Sequence, residues 1–152
     1  MAMSKAFMAV ILSMALAACT SMKGGGMHTM TQKCRTPSCT ILVMVTPTAD
    51  GCTVNLEPGS DIVEVEHGNH NVELKWTLVT TGYEFARQGV VFGEVDQIKP
   101  KAFSKTEVTW KDVNDNAKQY AYTVLVVRRS QDPNDKYEYT KCTPLDPWIH
   151  NQ

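Results

Sequence analysis

Val72-Glu-Leu-Lys-Trp-Thr-Leu78 is the stretch that decides the fold. Val72, Leu74, Trp76 and Leu78 alternate strictly with Glu73, Lys75 and Thr77. A period of two places the sets on opposite faces of an extended chain, one suited to a core and the other to water. A helix would scatter both sets around its circumference.

The same reading extends in both directions. Upstream, Asp61-Ile-Val-Glu-Val-Glu66 turns Val63 and Val65 one way and Glu64 and Glu66 the other, which reads as a solvated face on an edge strand. Cys52–Glu57 alternates as well, and Thr40-Ile-Leu-Val-Met-Val-Thr46 is β-branched and apolar. Downstream, Tyr83–Ala86 and Gly89–Phe92 read as short strands. Lys105–Trp110 sets Val108 and Trp110 on one face, Gln119–Arg128 is a long buried strand, and Tyr137–Thr140 closes the series. Turn-forming clusters separate them at Pro47–Gly51, Pro58–Ser60, His67–Asn71, Asp112–Lys118 and Ser130–Lys136. No segment carries the 3.6-residue period of an amphipathic helix. The predicted fold class is therefore all-β: an antiparallel β-sandwich of Greek-key type with about 7–9 strands. Trp76 and Trp110 are its expected core anchors, and Trp148 is expected to pin the tail.

A chain of 152 residues suits one domain, and 43% hydrophobic residues suffice for a packed core. Fifteen Lys and Arg against sixteen Asp and Glu give a net charge of −1. That balance offers no basic surface for nucleic acid, and Arg128-Arg129 alone makes no patch.

The N-terminus reads as an address. Lys5 precedes an apolar run from Ala6 to Ala18 that only Ser13 interrupts. The run is too short to span a bilayer, which takes about 20 residues, and has the length of a signal-peptide core. It ends in Leu16-Ala17-Ala18-Cys19, which resembles the lipobox of bacterial lipoproteins. In that family the cysteine thiol receives a diacylglycerol, cleavage makes the cysteine the first residue, and its amine is then acylated, commonly with palmitate. The resemblance implies Cys19 as the lipid attachment site and membrane association through that anchor. Thr20 stands where an inner-membrane retention signal would have Asp, so the implied location is the outer membrane, periplasm-facing or at the cell surface. Residues 20–33 are polar, contain Gly24-Gly25-Gly26 and show no apolar period. The expected organisation is a signal peptide over 1–18, a lipidated tether over 19–33 and a β-sandwich over 34–152.

With Cys19 lipidated, Cys34, Cys39, Cys52 and Cys142 remain. An even number in an exported protein implies two disulfides, with three connectivities open. The preferred one is Cys34–Cys39, closing a short loop through Pro37, with Cys52–Cys142 tying the C-terminal tail to an early strand. The spacings do not supply the paired short knuckles of a Cys₄ zinc site.

The search for chemistry gives little. No serine lies in a G-x-S-x-G elbow, and the even cysteine count leaves no free thiol. Asp112-Val-Asn-Asp-Asn116 begins like a calcium loop. However, Ala117 stands where glycine is required and Thr123 where a bidentate glutamate is, so it reads as an Asx turn. His67 and His70 form H-x-x-H in a turn, and Met27, His28 and Met30 lie in the tether. Such soft ligands suit copper, and a periplasmic copper-handling lipoprotein is the alternative reading. A type-1 copper site needs a free cysteine with histidine and usually an axial methionine close behind it, whereas Cys142 is followed by His150 and no methionine and is assigned to a disulfide. No metal, cofactor or catalytic residue is assigned.

Trp76-Thr-Leu-Val-Thr-Thr-Gly-Tyr-Glu-Phe85, Gly89-Val-Val-Phe92 and Asp146-Pro-Trp-Ile-His-Asn151 resemble motifs of a group of small exported proteobacterial proteins, over roughly residues 40–151. The resemblance implies a β-sandwich and export, and no activity. The expected function is that of a lipid-anchored, non-enzymatic binding or structural module of the cell envelope, with an envelope protein as a partner. The turns His67–Asn71 and Asp112–Lys118 are its expected contact loops.

Overall fold

Residues 31–58, 60–129 and 139–152 are described by a computed structural model. Among them are eleven strands and no helix. The strands are β1 (Thr31–Cys34), β2 (Ser38–Thr48), β3 (Gly51–Leu56), β4 (Ile62–Val65), β5 (Val72–Leu78), β6 (Tyr83–Phe92), β7 (Ile98–Phe103), β8 (Glu107–Asp112), β9 (Gln119–Arg129), β10 (Tyr139–Lys141) and β11 (Trp148–Asn151). The alternation in the sequence is the alternation of burial. In β5, Val72, Leu74, Trp76 and Leu78 are buried and the residues between them are half-buried. β3 and β4 repeat that pattern, and β2 and β9 follow it over most of their length.

The strands make two sheets packed face to face, as in a β-sandwich. One has the order β3-β2-β5-β8-β7. In the other, β1-β4-β11 leads to one edge of β9, and β6 lies along the opposite edge. The chain from Tyr139 to His150 runs antiparallel along that first edge of β9, through β10, a bridge from Leu145 to Val124, and β11. Trp76 is fully buried between the sheets, with ring edges against Tyr122 at 5.2 Å and Phe92 at 6.0 Å. Phe92 stacks on Tyr122 at 5.3 Å and meets Trp110 edge-on at 4.8 Å. These side chains form an aromatic path from the core to Trp110, which is only half-buried.

The two disulfides are Cys34–Cys39 and Cys52–Cys142. Each joins the sheets: the first ties β1 to β2, the second ties β3 to the residue after β10. Beside the second, Thr143 pairs with β3 through Thr143 N to Cys52 O at 2.8 Å and Val54 N to Thr143 O at 3.4 Å.

Several expectations are corrected. The sandwich is not purely antiparallel, because β1–β4, β4–β11 and β2–β5 pair in parallel. Parallel neighbours need a crossover between them. Here the crossover from β2 to β5 passes through β4 in the opposite sheet, so no helix is required. Tyr83–Phe92 is one strand with a register shift between Phe85 and Val90, where two were expected. β4 is flanked on both sides, so Glu64 does not lie on an edge, and Glu66 follows the end of the strand. Thr31–Lys33, assigned to the tether, belong to β1. Gln32 holds them in place, its Nε2 donating to Thr40 O at 2.8 Å and its Oε1 accepting from Ser60 Oγ at 2.7 Å. Trp148 is 47% exposed, and the tail is instead held by buried Ile149 and Asn151. The signal peptide, Cys19 and tether residues 19–30 lie outside the described residues, as does the turn Ser130–Lys136.

Candidate functional site

The turns His67–Asn71 and Asp112–Lys118 meet at one end of the sandwich. Asn71 N donates to Val113 O at 3.4 Å, and the Asn114 side-chain amide donates to Glu66 O at 3.2 Å and Asn69 O at 3.1 Å. His70 Nδ1 lies 3.3 Å from an Asp115 carboxylate oxygen. Between the loops is a cavity of about 200 Å³, with His67, His70, Asn114, Asp115 and Gln152 among its lining. Asn114 N donates to Asp112 Oδ1 at 2.9 Å, which is the Asx turn the sequence suggests.

Beneath this cavity the polar groups clamp the sheets together. Asn151, at the end of β11, donates its amide to Asp112 Oδ1 at 3.0 Å, across from β8 in the other sheet. Asp112 is wholly buried. Burial pushes its carboxyl up from the ordinary range, opposed by the Asn151 and Asn114 hydrogen bonds and reinforced by the nearby Asp115 charge. Asp112 Oδ2, Asn114 Oδ1 and Asn151 Oδ1 are buried and accept no hydrogen bond within the described residues. A network that fixes its donors and leaves acceptors over is a positional clamp between sheets.

The H-x-x-H histidines both line the loop cavity. Among the described residues no three His, Cys, Asp or Glu side chains gather as a ligand set. Two serines serve local structure: Ser60 Oγ donates to Gln32, and Ser104 Oγ accepts from Glu107 N at 2.9 Å in the β7–β8 turn. Glu66 receives Arg35 through two hydrogen bonds, at 2.6 and 3.0 Å, and these hold its carboxyl below the usual range.

A second concavity, larger and of different character, lies between β6 and the β7–β8 hairpin. It is an open groove of about 520 Å³ with Phe92, Val108, Trp110 and Phe103 among its lining. Phe103 is 52% exposed, unusual for so large an apolar side chain. The β6 irregularity shapes the groove. Gln88 (φ 74°) and Gly89 (φ 53°) adopt the left-handed region, which carries Arg87 and Gln88 out of the ladder to the rim. Gly89 is required there, because a Cβ would stand 2.8 Å from Val108 Cγ2 and 2.9 Å from Phe85 Cβ.

Across the groove, β7 is an edge strand with Lys99 to Phe103 all exposed. Lys99, Pro100, Lys101 and a register shift between Pro100 and Ala102 make that edge a poor template for strand pairing. Sequence reading found the loops and missed the groove. Its signals were Gly89 at the head of the apolar Val90-Val91-Phe92, and Phe103 as the one large apolar residue of Lys99-Pro-Lys-Ala-Phe-Ser104.

Comparison with protein families and with curated proteins finds no match for this chain.

Proposed function

We propose that this chain is a lipid-anchored protein of the outer membrane, on its periplasmic or its outer face. It is held by an acylated Cys19, and its β-sandwich binds a ligand in the β6–β7 groove without acting on it chemically. The open aromatic groove carries the binding reading. A concavity of this volume with a mostly apolar lining and a few polar groups at its rim has the make-up of a ligand site. The lipobox-like Leu16-Ala17-Ala18-Cys19 supports the anchor, and two disulfides fit an oxidising compartment. The occupied serines and the clamp role of Asp112 favour binding over catalysis.

The test is metabolic labelling with an alkyne fatty acid. The wild-type chain takes up label and sediments with the outer membrane, and Cys19→Ala abolishes both. Label persisting in Cys19→Ala, or a wild-type chain that stays unlabelled and soluble, would rule out the anchor.

A further inference from the structure

From the make-up of the groove we infer that its ligand is a small amphipathic carboxylate, with an aromatic or aliphatic body on the floor and its charge at Arg87. This rests on the groove being the recognition site, and it names the class of molecule recognised there.

The floor supplies the apolar half of the match. Phe92 and Trp110 meet edge-on above the buried Val108, and the half-exposed Phe103 extends that surface into solvent. A flat or chain-like apolar body gains by covering this area, since Phe103 and the half-buried Trp110 leave apolar ring surface in water. The rim supplies the charged half. Arg87 and Lys101 stand at the groove, and no carboxylate lines it. Lys101 Nζ is engaged by Glu73, whereas Arg87 has no carboxylate partner among the described residues. A guanidinium at the edge of an apolar cleft favours a carboxylate through paired, charge-assisted hydrogen bonds. It disfavours a cation of the same shape.

The flanking strands argue for a small molecule over an extended peptide. β7 is blunted by Pro100 and its lysines, and β6 departs from its ladder at Ala86–Gly89. Neither presents the regular row of free backbone groups that strand addition needs.

The experiment is isothermal titration calorimetry of the purified full chain in lipid nanodiscs, with empty nanodiscs as the blank. Three probes share one body: 5-phenylpentanoate, 5-phenylpentan-1-ol and 5-phenylpentylammonium. The expected result is that the carboxylate binds roughly tenfold tighter than the alcohol, and the ammonium is undetectable. Arg87→Gln brings the carboxylate down to the level of the alcohol and leaves the alcohol unchanged. Phe103→Ser weakens both. Both positions are exposed, and thermal melts check that the variants stay folded. If alcohol and carboxylate bind equally and both weaken in Phe103→Ser, the carboxylate class is overturned while the groove stands. If no probe binds, or if binding ignores both substitutions, the inference falls together with the reading on which it rests.

Discussion

Asp112 has no exposed surface, yet among the described residues its carboxyl receives two hydrogen bonds, both on Oδ1. Its folded pKa is raised, so the folded state holds the proton more tightly than the unfolded chain does. This contribution to stability is fully present below the unfolded carboxylate pKa of about 3.9 and is lost as pH rises through the folded value. Asp112→Asn removes the charge and offers an amide donor to a cluster whose leftover groups are all acceptors. The melting temperature of the variant should therefore exceed that of wild type at pH 7, with the gap closing towards pH 4. The titratable groups facing this site are Asp115 and, 3.3 Å from it, His70, so Asp115→Asn serves as the control. A gap independent of pH would show that the Asp112 charge is not the cause. Gly89 makes a second residue-scale case. Gly89→Ala meets Val108 and Phe85 at under 3 Å in a left-handed conformation, and should cost about 2 kcal/mol or more in denaturant unfolding.

At the scale of elements, sequence and structure agree where one face of a strand is buried. β5 was legible residue by residue because its alternation is strict. β7 was not, since only Ile98 is buried and the remaining positions carry lysine, proline, alanine and the exposed Phe103, which makes no alternation. The register shift in β6 hid the continuity of that strand for the same reason: a bulge breaks the period of two on which the reading depends. Of three disulfide connectivities the sequence left open, the preferred one is formed, and its two bonds are unequal in energetic weight. On chain-entropy grounds the Cys52–Cys142 loop is worth about 4–5 kcal/mol and the Cys34–Cys39 loop about 2. Replacing Cys52 and Cys142 together by alanine should lower unfolding free energy by roughly twice as much as replacing Cys34 and Cys39. Equal losses would mean that the long loop retains structure when unfolded.

The whole molecule is a sandwich whose sheets are joined at one margin by a disulfide and a bridge, with an aromatic groove open between β6 and β7. Of this asymmetry the sequence offered the Cys52–Cys142 tie as its preferred pairing, but not the bridge or the groove, because alternation tells which face a residue occupies and not which strand lies beside it. The parallel pairs β1–β4, β4–β11 and β2–β5 escaped for that reason, and the groove with them. The convergence of His67–Asn71 with Asp112–Lys118 was only half legible: both loops were singled out, but their contact through Asn114 depends on β4 and β8 ending at the same end of the sandwich. The most direct measurement is native mass spectrometry of the chain released from the cell envelope in nanodiscs, comparing wild type with Phe103→Ser. The expected wild-type species begins at an acylated Cys19, is lighter by the four hydrogens of two disulfides, and retains a small organic adduct that Phe103→Ser loses. An unacylated chain beginning elsewhere, or an adduct held equally by both proteins, would contradict the picture of a tethered sandwich that binds through its groove.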